Sequence, residues 1–204
     1  MRLIGMLDSP YVRRVAISLS VLDLPFEHEP VSVFRHYDEF AAINPVVKAP
    51  TLVTDGGVVL MESSLILDHF DRLVPPDRRL APDAPDVHAR HQRMVGLALA
   101  ACEKTVQLVY EFNLRPAEKQ HQPWIDRVAG QLRAAYGLLE TEVGQADAWL
   151  FGARPRQADI SIAVAWRFTQ DMLADRVPAA AHPALGAFSA RAEALPAFRA
   201  CPPE

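Results

Sequence analysis

Cysteine is scarce in this chain: Cys102 and Cys201 are the two among 204 residues. Two thiols in a chain of this length make no disulfide framework. With no Cys-x-x-Cys there is neither a dithiol redox pair nor a thiolate zinc site. Long apolar runs are missing too. The longest, Met94 to Cys102, falls well short of the about 20 residues that a bilayer-crossing helix needs. At the N-terminus the run Leu3 to Leu7 is cut by Asp8, Pro10 and two arginines, which is not the profile of a signal peptide. Positive charge is not concentrated: the net charge is −4, and the densest basic pairs are Arg13-Arg14 and Arg78-Arg79. The basic face of a nucleic-acid binder is therefore not expected. The seven histidines are scattered. His88 and His91 share a helix face, but no further ligands lie nearby, so they read as an exposed polar face and not as a metal site. These absences predict a soluble, cytoplasmic protein that binds no metal, membrane or nucleic acid.

What is present is a globular composition. Half of the residues are hydrophobic and 23% are charged, enough apolar side chain for one ordinary core or two small ones. Leu3-Ile4-Gly5-Met6-Leu7 is a strand-length run of the kind buried on both faces. Ser9-Pro10 follows as a helix start, and Val12, Val15, Ile17, Leu19 and Leu22 continue at near-helical spacing up to Leu24-Pro25. Phe26 to Val33 reads as a second strand, and Tyr37 to Ile43 as a short helix closed by Asn44-Pro45. Thr51-Leu52-Val53 and Val58-Val59-Leu60, set around Thr54-Asp55-Gly56-Gly57, read as a hairpin, and Ser63 to Leu73 as a helix. The order βαβαββα needs a parallel pair joined by a crossover helix, then an antiparallel hairpin. After the Pro-rich stretch Val74 to Pro85 the strand signals stop, and helices are expected over roughly 86–112, 118–144, 157–174 and 183–194. The expected organisation is an α/β domain over 1–75, a linker over 76–85 and an all-helical domain over 86–204, with a loose tail from Cys201 to Glu204.

Three points in the first domain could carry chemistry, and each has a plain structural reading beside it. Ser9 is by itself an ordinary N-cap. The turn from a first strand to a first helix is also where backbone N–H groups and the helix dipole favour an anion, and a serine hydroxyl there can donate to a thiolate. Pro50, just before a strand, marks a strand start or an edge, with a trans peptide as the default. Glu62-Ser63 before a helix are ordinary capping residues.

In combination these segments resemble the glutathione transferase family. The resemblance lies in Ser9-Pro10-Tyr11-Val12-Arg13-Arg14-Val15, in Asn44-Pro45-Val46-Val47-Lys48-Ala49-Pro50-Thr51-Leu52, in Glu62-Ser63-Ser64-Leu65-Ile66-Leu67, and in Gly152 with Ala158-Asp159-Ile160-Ser161-Ile162-Ala163. It implies a thioredoxin-like N-terminal domain, an all-helical C-terminal domain, and glutathione as co-substrate without a metal. It implies a cis peptide at Pro50, with the Ala49 backbone pairing the cysteinyl part of glutathione. Glu62 and Ser63 would hold the γ-glutamyl end, whose ammonium suits the carboxylate and whose carboxylate suits a helix N-terminus. Lys48 would offer a cation to the glycyl carboxylate; Arg35 is a second candidate, read first as an exposed loop charge. Ser9 would face the sulfur, and Asp159 would cap a buried helix. A twofold homodimer is also implied. The electrophile would lie by the loop after the first strand and along the helix over 86–112. Tyr11, Leu99, Glu103, Lys104 and Gln107 are candidates there, each equally readable as core or surface.

The implied mechanism is physical. A free thiol has a pKa near about 8.5, and a hydroxyl donor, backbone N–H groups and a helix N-terminus all favour the thiolate. The thiolate then attacks an electrophilic carbon of a small hydrophobic substrate, with peroxidase chemistry as a side activity. Three positions depart from the family pattern: Val47 where glycine is frequent, Ala49 where valine is usual, and Arg156 where a capping Ser or Thr is often found. Two other readings compete. A non-catalytic binding module on the same fold would fail to retain glutathione. A cysteine-based redox enzyme would need a thiol at the Ser9 turn, where neither Cys102 nor Cys201 lies.

Overall fold

The computed structural model of the chain describes residues 1–146 and 148–203. They form two compact units: Met1–Ala81 with the C-terminal segment from Ala194, and Pro82–Glu193. In the first unit the central strand is β1 (Arg2–Ile4). Strand β2 (Glu27–Glu29) pairs with it in parallel. On its other side β3 (Thr51–Val53) pairs antiparallel, and β4 (Val59–Met61) pairs antiparallel to β3. The sheet order is β2-β1-β3-β4. Helix α1 (Pro10–Val21) is the crossover between the parallel strands; α2 (Tyr37–Ile43) follows β2, and α3 (Ser63–Asp71) follows β4. This is a thioredoxin-like arrangement in the βαβαββα order.

Leu3 and Ile4 are adjacent and so face opposite sides of the sheet, yet both are fully buried. The sheet is therefore covered on both faces. On the Ile4 side the cover is Val31 and Phe40, with Val33, Ile43, Val47, Ala49 and Val53 packed around them. On the other side α1, which contacts β1, packs against α3. Strand β1 stops at Ile4, short of Leu7, because Gly5 takes φ 135° and turns the chain. No side chain fits there: a Cβ on Gly5 would meet Val12 Cγ2 at 2.7 Å and Ala49 Cβ at 3.1 Å. Strand β2 is likewise shorter than Phe26 to Val33. Pro30 cannot continue the ladder, and Val31 and Val33 serve the Ile4–Phe40 cluster from outside the strand.

The second unit is helical: α4 (Pro85–Leu114), α5 (Gln122–Val143), α6 (Gln157–Leu173) and α7 (Pro183–Glu193). Helix α4 packs on α5 and α6, and α7 on α5 and α6. Helix α6 is buried continuously from Gln157 to Trp166, the signature of a central helix and not of an amphipathic one. Its start is fixed by Asp159, which is fully buried; Oδ1 accepts from the Leu150 N–H and Oδ2 from the Arg156 N–H, both at 2.8 Å. Burial pushes this carboxyl up, while those backbone N–H groups pull it back. His91 Nε2 accepts from the Ala158 N–H at 3.1 Å, so His91 is a buried partner of the α6 start and not part of an exposed polar face. Deeper in the unit, Thr105 Oγ1 lies 2.7 Å from Thr169 Oγ1, and Tyr136 OH reaches Thr169 Oγ1 at 2.6 Å and the Ala165 carbonyl at 2.8 Å. Among the described residues no helix is long and apolar enough to cross a membrane.

The C-terminal segment departs from expectation. Helix α8 (Pro196–Arg199) belongs to the first unit and packs on α1. Arg13 Nε donates to the Cys201 carbonyl at 2.8 Å, and its guanidinium lies 5.8 Å over the Phe198 ring. Phe198 and Cys201 are buried. The segment is thus neither a loose tail nor part of the helical unit. A single-turn helix is too short to produce a periodic signal in sequence. Glu204 lies outside the described residues.

Candidate active site

The strand register brings the motifs of the first unit together. Glu29 pairs with Ile4, Ile4 with Thr51, and Thr51 with Met61, so these four residues form one row across the sheet. Just beyond that row at the same end lie the Gly5–Ser9 turn after β1, the Pro30–His36 loop after β2, the Lys48-Ala49-Pro50 segment before β3, and Glu62-Ser63 after β4. Four segments that are far apart in sequence thus converge: parallel pairing sets the ends of β1 and β2 side by side, and antiparallel pairing sets the start of β3 beside the ends of β1 and β4.

Ser9 is the N-cap of α1, with φ −71° and ψ 122°, and Pro10 is the first helical residue. The Ser9 side chain makes no capping hydrogen bond. Its carbonyl accepts from the Arg13 N–H at 2.9 Å, and its N–H donates to the Met6 carbonyl at 3.2 Å. The backbone is therefore held while the hydroxyl is not used as a cap, so that the plain capping role does not account for this serine. Tyr11, in the first turn, is half-buried. Arg35 is exposed; its N–H bonds Ser32 Oγ at 3.2 Å, and its guanidinium reaches Met6 Sδ at 3.9 Å on the turn that ends in Ser9.

The loop into β3 is built around Asn44, a buried residue that in the sequence closes a helix and opens the Asn44–Leu52 motif. Its Nδ2 donates to Thr51 Oγ1 at 2.8 Å, its Oδ1 accepts from the Val46 N–H at 3.0 Å, and its carbonyl accepts from the Val47 N–H at 2.9 Å. Thr51 Oγ1 in turn donates to the Lys48 carbonyl at 2.8 Å. This network fixes both ends of the segment that presents Lys48 and Ala49. The Ala49–Pro50 peptide is cis. Val47 has φ 51°, the left-handed region that a β-branched residue enters only under strain. That is the physical content of valine standing where glycine is frequent. Lys48 is exposed.

Glu62 has φ 72° and caps α3, its Oε2 accepting from the Ser64 N–H at 3.3 Å. Strained backbone of this kind concentrates at functional sites. Ser63 is fully buried and Ser64 is half-buried. Both hydroxyl oxygens accept from one nitrogen, Arg14 Nη1, at 3.0 Å and 3.2 Å. Arg14 itself is buried, although in the sequence it stands only as half of a basic pair and as part of the Ser9–Val15 motif. The usable signal is two adjacent arginines inside an otherwise apolar helix face; Arg13 and Arg14 point to α8 and to α3 respectively.

In the second unit, Glu103 Oε1 accepts from Lys104 Nζ at 2.9 Å and from Gln107 Nε2 at 2.8 Å, so these three side chains of α4 form one polar cluster. Leu99, one turn earlier, is half-buried. Cys201 is buried, and burial pushes its thiol up, against the smaller effects of Ser20 and Arg13. Cys102 is buried on α4. Among the described residues no group of three His, Cys, Asp or Glu side chains could hold a metal ion.

Comparison with known proteins bears on the same segments. The family model described as "Glutathione S-transferase, N-terminal domain" matches residues 3–78, and that described as "Glutathione S-transferase, C-terminal domain" matches residues 122–191. The chain is 29% identical to a maleylacetoacetate isomerase of Pseudomonas aeruginosa, over 72% of this chain and 71% of that one. It is 28% identical to a probable maleylacetoacetate isomerase of Vibrio cholerae, over 99% and 95% of the two chains. It is also similar to the crystal structure of a glutathione S-transferase of Methylobacterium radiotolerans in complex with glutathione sulfonate, at TM-score 0.91 and 28% identity, covering 99% of this chain and 94% of that one.

Proposed function

The chain belongs to the glutathione S-transferase family, and we propose that it is a glutathione-dependent enzyme in which Ser9 stabilises the thiolate for attack on a small electrophilic carbon. The observation that carries this reading is the row Glu29–Ile4–Thr51–Met61, with Ser9, Ala49-Pro50 and Glu62-Ser63 beyond it at one end of the sheet. The γ-glutamyl ammonium pairs with Glu62, and its carboxylate sits at the start of α3 at Ser63. The cysteinyl backbone pairs with Ala49. Lys48, and Arg35 from the loop after β2, face the glycyl carboxylate. The sulfur then lies at the start of α1, where the Ser9 hydroxyl and the helix N-terminus favour the thiolate. Binding releases the thiol proton to solvent, so no protein base is needed. In conjugation the sulfur–carbon bond forms and the electron pair of the leaving group or π bond departs from the attacked carbon.

The names of the two curated relatives favour a second outcome for the same thiolate. Reversible addition to the C=C of a cis-unsaturated acid, rotation about the single bond so made, and elimination of the thiolate would isomerise the substrate and return glutathione unchanged. Counting free thiol separates the two outcomes: conjugation consumes one thiol per electrophile, whereas isomerisation consumes none. The protein works in the cytoplasm as a homodimer, and a sedimentation run giving a single monomeric species would remove the dimer.

Calorimetric titration of glutathione into wild type and Ser9→Ala tests the reading. Both are expected to bind, with turnover lost by about 10²-fold in Ser9→Ala, the scale of one removed donor to a reacting anion. Failure of wild type to bind would leave a binding module of the same fold.

A further inference from the structure

Resting on the reading of Ser9 as the donor to the thiolate, we infer that His28 is a positioning residue: it pins the peptide from which the Ser9 turn hangs, and so sets where the Ser9 hydroxyl meets the sulfur. His28 belongs to none of the sequence motifs and lies in the middle of β2. The strand register sets Leu3 opposite His28 and Ile4 opposite Glu29, so Gly5 falls opposite Pro30. In a parallel ladder a residue so placed donates its N–H to the residue before its partner and accepts at its carbonyl from the residue after it. The first bond is made, from the Gly5 N–H to the Glu29 carbonyl at 3.0 Å. For the second, the Val31 N–H turns back to that same Glu29 carbonyl at 2.8 Å. The Gly5 carbonyl is met instead by a side chain, His28 Nε2, at 2.8 Å. A carbonyl only accepts, so Nε2 carries the hydrogen.

Gly5 is the place in this turn where an outside clamp matters. Its φ of 135° is open to glycine alone, and without a Cβ the residue does little to fix the orientation of the peptide that follows it. Val12 of α1 and Ala49 close on Gly5 so tightly that no Cβ fits, which fixes its position and leaves that peptide plane as the remaining freedom. The Gly5–Met6 peptide that His28 holds leads directly to the Met6 carbonyl, which accepts from the Ser9 N–H at 3.2 Å. That bond is longer than the one from His28, so the turn is anchored more firmly at its Gly5 end than at Ser9. The Ser9 side chain makes no capping bond that would anchor it from the other end. His28 pairs with Leu3 and is half-buried on the α1 side of the sheet, away from the Ile4 cluster. It therefore acts on the turn from behind. A hydroxyl donor favours a thiolate only when it stays at hydrogen-bond distance, and the His28 bond holds the backbone that keeps it there.

The experiment follows two ligands on wild type, His28→Phe, His28→Gln, Ser9→Ala and the double variant of His28→Phe with Ser9→Ala. Bound glutathione is followed by its thiolate absorbance against pH. S-methylglutathione has no thiol to ionise, so its affinity reports the rest of the site. His28→Phe is expected to raise the midpoint of the bound thiol by about one unit, a tenfold change in the thiol–thiolate equilibrium, and to leave S-methylglutathione affinity within about twofold of wild type. His28→Gln keeps a side-chain N–H and is expected to hold the wild-type midpoint. Added to Ser9→Ala, His28→Phe is expected to change nothing further, because His28 acts through Ser9. An unchanged midpoint in His28→Phe would overturn the inference. So would an equal rise in the Ser9→Ala background, or a parallel loss of S-methylglutathione affinity, which would mean a merely structural histidine. If His28→Phe does not fold, nitrogen NMR of the wild-type ring decides: a hydrogen on His28 Nε2 is expected, and a bare Nε2 would overturn the inference. Ser9→Ala with the wild-type midpoint would remove the inference together with the Ser9 reading, and wild type that binds neither ligand would remove both together with the glutathione reading; each pattern is distinct from the others.

Discussion

The two units hold polar groups in their interiors for opposite ends. In the helical unit, Tyr136, Thr105, Thr169 and the Asp159 carboxylate bond to one another or to backbone groups of the same unit, and the network closes on itself. In the first unit the buried polar residues Asn44, Thr51, Arg14 and Ser63 sit beside the row end of the sheet. They fix the segments that carry Lys48 and Glu62, of which Lys48 is exposed and Glu62 half-buried, near a Ser9 whose side chain makes no capping hydrogen bond. Closed networks stabilise; open-ended ones position. Removing a residue from the first kind should cost stability, and from the second kind both stability and ligand affinity.

The largest expected effect is Asp159→Ala. It orphans two buried N–H groups at the start of the central helix and should cost about 3 kcal/mol in denaturant unfolding, with glutathione affinity unchanged in the remaining folded protein. The same residue gives a pH test. Burial raises its folded-state pKa above 3.8, so the stability it contributes through this shift is fully present below that value and lost as pH rises through the folded value. Wild type should therefore gain stability relative to Asp159→Asn as pH falls from neutral toward about 4. Asn44→Ala comes next, at about 2 kcal/mol, and unlike Asp159→Ala should also weaken glutathione, because the Lys48–Ala49 segment loses its support. Equal glutathione affinity in Asn44→Ala and Asp159→Ala would break the comparison. Tyr136→Phe should cost about 1 kcal/mol and leave binding alone, since Thr105 still partners Thr169. Smallest is Val47→Gly. Relief of a left-handed β-branched residue, worth about 1–2 kcal/mol, offsets lost packing and should leave the midpoint within about 1 kcal/mol of wild type.

Much of this was legible because the first unit is written in local signals. Ser9-Pro10 starts α1, and Glu62-Ser63 starts α3. Their convergence follows from strand order. The segment from Ala194 was illegible because nothing local marks a single helical turn whose place is set by a bond from Arg13, nearly the whole chain away. The burial of Arg14 and of His91 is hidden for a related reason. A charged or titratable residue reads as exposed until its partner is known, and the partners, Ser63 and the Ala158 N–H, are 49 and 67 residues distant. Helical periodicity in α4 does not reveal which of Leu99, Glu103, Lys104 and Gln107 meets a substrate. The Glu103-centred cluster joins three of them, and nothing in the spacing of the sequence distinguishes that cluster from an ordinary surface.

The central claim is that Ser9 turns a bound thiol into a thiolate. The measurement that meets it most directly is the pH titration of thiolate absorbance of glutathione bound to wild type and to Ser9→Ala. A wild-type midpoint well below the free thiol's about 8.5, rising by about one to two units in Ser9→Ala with binding retained, is the predicted result. A midpoint that is the same in both proteins would contradict it and leave Ser9 without a part in activating the thiol.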